Sequence, residues 1–120
     1  MSEKGIPFTI TGHIAYAGGS IVSKTIIDKG AIGNITLFSF DTGQGLSEHT
    51  SPYDAVVQLL EGKAVITIGG KNRDIAAGEM IIMPAGIPHA LHAEQRFKMM
   101  LIMLRGETAE PEAKSPAVAV

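Results

Sequence analysis

Gly78-Glu79-Met80-Ile81-Ile82-Met83-Pro84-Ala85-Gly86-Ile87-Pro88-His89 is the stretch whose reading decides the fold. The apolar run Met80 to Met83 predicts a short buried strand, bounded on both sides by turn residues. Pro84 has no N–H to give to a ladder and fixes its own φ, so the strand stops there. Gly86 accepts a positive φ and closes the turn. Pro88 then restricts the backbone just ahead of His89. The product is an imidazole held at a defined angle at the mouth of a sheet, which is a device for aiming at a ligand.

Outward from this stretch the chain continues as strands and turns. Its 14 glycines punctuate short apolar runs, the pattern of an all-β sandwich or barrel. Strands are predicted at Ile21–Asp28, Asn34–Phe40, Ala55–Leu60, Ala64–Ile68, Asn72–Ala76, Glu79–Met83, Ala90–Ala93 and Arg96–Arg105, with a further short one near Thr9–Ala17. Ala64 to Ile68 alternates, and Gly69-Gly70 supplies the positive-φ pair of a tight hairpin. Gly62 reads as a turn between two separate strands. About eight strands with such turns imply a single-domain, jelly-roll-like β-barrel, whose pocket is lined by alternate residues of each strand. Closure of the barrel is how His49 and His89 meet although forty residues separate them.

The Gly78 to His89 spacing resembles the second signature of the cupin family, Gly-x5-Pro-x-Gly-x2-His. Gly43-Gln44-Gly45-Leu46-Ser47-Glu48-His49 resembles the opening of the family's first signature, and Gly62 its close. Between them the chain departs from the pattern: Ser51 stands at the second histidine position and Ala55 at the glutamate position. Ala93 stands where the second signature ends in asparagine. The resemblance spans residues 33–104. It implies a cupin barrel and a small stand-alone, single-domain cupin with a reduced set of metal ligands. The family ligand positions that survive are His49 and His89.

At 120 residues the chain has room for one domain. We expect an N-terminal arm over 1–20, a barrel over 21–105 and a flexible tail over 106–120. The tail is polar and Pro-containing up to Pro116, and its apolar end, Ala117 to Val120, has the composition to pair with a sheet edge. The net charge is −2, with no basic cluster, so nucleic-acid binding is not expected. There is no cysteine, hence no disulfide framework, thiolate metal site or thiol nucleophile. No apolar run reaches membrane length and the N-terminus lacks the apolar centre of a signal peptide, so the expectation is a cytoplasmic protein without a membrane partner.

His49 and His89 are the candidate metal ligands. Two converging imidazoles suit Fe, Zn, Mn, Ni or Cu, the choice depending on what completes the set. Asp54 is the candidate third ligand, because two histidines and one carboxylate form the facial set of non-haem iron(II) sites. Strand alternation places Glu48 and Asp54 opposite to His49, so Asp54 needs a bulge near Pro52 to turn inward; otherwise it caps a turn. Ser51, Tyr53, Gln58 and Met99 are candidate ligand-binding residues. Met80 to Met103 holds five of the six methionines, which read either as core filler or as an adaptable apolar wall. Met99-Met100-Leu101-Ile102-Met103 is too apolar to alternate and predicts burial on both faces, one of them under a second subunit; a homodimer is expected. Two functional classes remain: a non-catalytic module binding a small molecule, with a divalent metal at His49 and His89, or a metal-dependent enzyme of dioxygenase or isomerase type.

Overall fold

A computed structural model describes residues 4–105. The described residues form eight strands: β1 Ile21–Asp28, β2 Gly33–Phe40, β3 Gly45–His49, β4 Ala55–Ile68, β5 Lys71–Ala76, β6 Met80–Met83, β7 His89–His92 and β8 Phe97–Leu104. The expected tail at 106–120, with its Ala117–Val120 pairing, lies outside the described residues.

Every pairing is antiparallel. One curved layer runs β1-β2-β8-β4-β6. The other runs β3-β7-β4-β5, so that β4 belongs to both. The result is an all-β barrel folded about one long strand. Along β4 the alternation is legible: Ala55, Val57, Leu59, Ala64 and Ile66 are buried and face the core. Phe40 of β2 and Phe97 of β8 stack at its centre, ring centroids 4.5 Å apart and planes within 15°. Both rings are fully buried, each contributing about 3 kcal/mol by area removed from water.

Two expectations are corrected here. The runs Ala55–Leu60 and Ala64–Ile68 are a single strand, because Gly62 does not turn the chain. It takes φ 82° just past a register shift between Leu59 and Glu61, where Leu60 is the extra residue, and pairs on with Phe97. This is a β-bulge, which bends a strand without ending it and so carries β4 from one layer to the other. The Thr9–Ala17 segment is not a strand. It contains a single 3-10 turn, Thr11–His13, and is tied to the outer face of the barrel by side chains. Lys98 Nζ donates to the Thr11 carbonyl at 2.6 Å, Lys24 Nζ to the His13 carbonyl at 3.0 Å, and Ser39 Oγ to the Ala15 carbonyl at 2.9 Å. Backbone groups that find side-chain partners have no need of a ladder.

Candidate functional site

β3 and β7 lie side by side with His49 opposite His89. Gly45, at the other end of β3, faces His92, and a Cβ there would lie 2.6 Å from the Leu91 carbonyl; only glycine lets these strands approach. The register slips between Leu46 and His49, where β3 carries an extra residue. That bulge aims His49 at its partner. The two rings meet edge to face, centroids 4.4 Å apart and planes at 69°. His89 is 4% exposed, whereas His49 is open to solvent.

Each imidazole is oriented by its own chain. His49 Nδ1 lies 2.8 Å from the Ser47 carbonyl, and His89 Nδ1 lies 3.2 Å from the Ile87 carbonyl. A carbonyl can only accept, so each Nδ1 carries the proton and donates. Each Nε2 is left with its lone pair, in the state in which histidine binds a metal or accepts a hydrogen bond. Burial lowers the His89 pKa below the ordinary histidine value. The bond to Ile87 opposes that shift, and the neighbouring His49 adds to it. His89 therefore stays neutral and available at neutral pH.

Two loops carry these residues, and they are latched together. Asp54 Oδ1 accepts from the Ala85 N–H at 2.8 Å. The Ser51 carbonyl accepts from the Gly86 N–H at 2.7 Å. Ser51 Oγ accepts from the Tyr53 N–H at 3.1 Å. Pro84 to Pro88 is thus pinned to Ser51 to Asp54, which follows β3 directly.

The sequence-predicted residues divide accordingly. His49 and His89 come together. Asp54 does not join them: its carboxylate is engaged with the Ala85 N–H, which is the turn-capping role. Among the described residues no group of three or more His, Cys, Asp or Glu side chains is placed to hold a metal. Asp54 thus takes the turn-capping alternative, although alternation itself does not decide it, because β3 ends at His49 and residues 50–54 are loop, where a period of two has no meaning. Ser51 and Tyr53 are half-buried in that loop. Gln58 is corrected: it lies between the buried Val57 and Leu59 and so faces outward, opposite Met80 and Met100. Met99 is corrected too, being 1% exposed and packed in the core. The carbonyls of Ser47 and Ile87 were missed, because a backbone acceptor leaves no mark on residue type. A cavity of about 550 Å³ lies elsewhere, between β4, β5 and the β7–β8 turn at Lys63, Asp74, Glu79 and Glu94. It mixes exposed charges of both signs, and neither histidine lines it.

A metal fits this pair in part. With a metal–nitrogen bond of about 2.1 Å, two imidazoles meeting an ion at right angles have centroids about 4.6 Å apart, close to the observed spacing. Both presented nitrogens suit a transition metal. Two ligands still leave at least two positions for water or a bound molecule, fewer protein ligands than structural or catalytic zinc sites use.

A model of the cupin domain matches residues 36–105. The chain belongs to the cupin family. A conserved protein of unknown function from Streptococcus pyogenes has a crystal structure similar to this cupin, with 38% identity and a TM-score of 0.83 over 88% of this chain and 92% of that one. A cupin 2 conserved barrel domain protein from Leptotrichia buccalis is 37% identical with a TM-score of 0.78, over 82% of this chain and 47% of that one. An uncharacterised protein of Streptomyces coelicolor is 30% identical over 59 residues, 49% of this chain. The match spans 56% of that relative's length.

Proposed function

We propose that this cupin is a non-catalytic binding module that takes a small molecule at the barrel mouth. His49 and His89 are its polar anchor and hold one divalent transition metal between them. The observation that carries the reading is the orientation of the pair: each Nδ1 is tied to a carbonyl of its own chain, so both lone pairs are presented. When bound, the ion supplies a positive charge and open coordination positions for an oxygen or nitrogen of the ligand. The latched loops around Ser51, Tyr53 and Asp54 keep the two imidazoles in register. The apolar residues behind them, Leu46 and Leu91, favour a ligand with one coordinating end and one apolar end.

A metal-dependent enzyme of dioxygenase or isomerase type draws on the same pair. It is the weaker reading, because no carboxylate joins the imidazoles among the described residues. The test is elemental analysis of protein purified without affinity-tag nickel, beside a His49→Ala/His89→Ala variant. About one equivalent of metal is expected in the parent, removable by chelator without unfolding, and none in the variant. Undiminished metal in the folded variant overturns the reading, as does a parent that takes up neither zinc nor cobalt on titration.

A further inference from the structure

The registers of the β3-β7-β4-β5 layer set out its inner face row by row. His49 faces His89, His89 faces Ile68 and Ile68 faces Lys71. The adjoining row runs Leu46, Leu91, Ile66 and Arg73. Ile66, Leu91 and Ile75 are buried in the core, so Lys71 and Arg73 alternate with Ile75 onto the same inner face. Thr67 Oγ1 donates to Asn72 Oδ1 at 2.7 Å, which keeps the intervening residues of β5 on the outer face. The imidazole pair and two cations therefore stand at opposite ends of an aliphatic strip on one concave surface. The Gly69 N–H donates to the Pro88 carbonyl at 2.9 Å, which fixes the hairpin that carries Lys71 beside His89.

This surface is open at its cationic end. Among the described residues β5 and β6 each pair with β4 alone, and a cleft of about 380 Å³ enters between them along Arg73, Ile75, Met80 and Ile81. Of the three arginines in the chain, Arg96 pairs with Asp41 and Arg105 donates to the Gly30 carbonyl. The Arg73 and Lys71 side chains make neither ion pair nor hydrogen bond to any described residue. Glu79 shares the cleft, but its Oε1 accepts from the Ala76 N–H at 2.9 Å, and Asp74 alternates to the outer face. An unpaired guanidinium next to the fully buried Ile66 is a fork of donors shaped for an oxyanion.

We propose that the ligand of this site is a two-ended acid: its coordinating group meets His49 and His89, its apolar part crosses Ile68 and Ile66, and an oxyanion at its far end meets Arg73 and Lys71. This rests on the reading of the histidine pair as a coordinating anchor and extends it, setting an anion beyond the apolar part of the ligand. Two strand spacings separate His89 from Lys71, about 10 Å between Cα atoms, and Arg73 lies about 7 Å further along β5. Long basic side chains shorten that span, so one small molecule reaches both ends. A carboxylate and a phosphate offer the same oxygens to a guanidinium, and either serves as the far end. Charges on an edge strand also keep it from pairing with another sheet; that role alone would leave ligand binding indifferent to Arg73.

Titration of cobalt(II)-loaded protein with heptanoate and with linear dicarboxylates from succinate to azelate tests it, the visible cobalt band reporting the coordinating end. One of the longer dicarboxylates is expected to bind at least about 10-fold tighter than heptanoate. Arg73→Gln is expected to abolish that gain and Lys71→Gln to reduce it, both with the cobalt band and circular dichroism of the parent. Lys63→Gln removes a charge from the outer face of β4, next to the buried Ala64, and is expected to keep the gain. The matching acid with a phosphonate at its far end tells a phosphate-type ligand from a carboxylate by which of the two binds tighter. Dicarboxylates no tighter than heptanoate, or a gain kept in Arg73→Gln, overturn the proposal while the cobalt site stands. If the parent takes up no cobalt, the coordinating reading fails by itself. Octanoate-induced shifts of the Lys71 to Arg73 amide NMR signals, lost in Arg73→Gln, then still support the anionic end, and their absence overturns it.

Discussion

His89 lies directly across from His49, ring centroids 4.4 Å apart, one imidazole buried and the other open. Burial lowers the His89 pKa, and the bond to Ile87 only partly restores it. The sign of the pH effect follows. Above the unfolded histidine value of about 6.5, His89 is neutral in both states and its native packing contributes fully. As pH falls below that value the unfolded chain takes up the proton first, so the native state loses stability until pH passes the lowered native pKa. Urea unfolding of metal-free protein is expected to show stability falling from pH 7 towards pH 5. His89→Gln is expected to flatten that slope; an unchanged slope would assign it to other groups.

Asp54 holds the Pro84–Pro88 turn to the loop after β3 through the Ala85 N–H. Asp54→Ala removes the acceptor, and the expected loss of stability is about 1 kcal/mol. Asp54→Asn keeps an acceptor and is expected to recover most of it. The informative readout is the histidine pair itself. In Asp54→Ala the imidazole NMR signals of His49 and His89 are expected to broaden as the two loops separate, with cobalt affinity falling alongside. If Asp54 were a metal ligand instead, Asp54→Asn would lose the metal while the fold stayed unchanged.

What the sequence made legible is what period and turn chemistry encode. β1 was placed to the residue, and β2, β5 and β6 to within one residue at their starts, because apolar runs meet Gly, Pro or Asp at those ends. His49 and His89 were legible because two separate signatures marked them. β3 was not read as a strand of its own, since Gly45, Ser47 and Glu48 lack strand propensity; its pairing with β7 forms it. The arm misled because Thr9 to Ala17 has enough apolar residues for a strand, while Lys98, Lys24 and Ser39, distant in sequence, decide its conformation. Asp54 stayed open between third ligand and turn cap, because only its backbone partner, thirty-one residues on, decides between them.

Tyr16 is the aromatic clasp of the arm. Its hydroxyl donates to Glu61 Oε2 at 2.7 Å, and the Arg96 guanidinium and Lys98 ammonium lie over its ring at 4.3 and 5.0 Å. Burial first, and the bond to Glu61 second, raise its pKa well above the usual tyrosine range. Its contribution is therefore complete below pH about 10 and is lost as pH rises through the raised value. In a Tyr53→Phe background, phenolate absorbance is expected only beyond the ordinary range; titration at pH about 10 would show the clasp open in solution. Tyr16→Phe is expected to cost about 1 kcal/mol and to speed amide exchange in the arm more than in β4.

Gly62 is where the two layers depend on one residue. Its φ of 82° is a conformation that other residues adopt only under strain. An added Cβ would also run into the Arg96 carbonyl and the Phe97 backbone and side chain, and that backbone has no room to yield because Phe97 stacks on Phe40 at the centre of the core. Gly62→Ala is therefore expected to destabilise by about 3 kcal/mol or more, combining positive-φ strain with overpacking. Gly78→Ala is the matched control. It also has a positive φ, 90°, but open space around its Cβ, so it carries the strain alone, about 1–2 kcal/mol. Denaturant midpoints of the two variants separate close approach from conformation. Equal losses would mean that β8 shifts aside at no cost, and that the bulge rather than the contact with Phe97 is what β4 requires at this position.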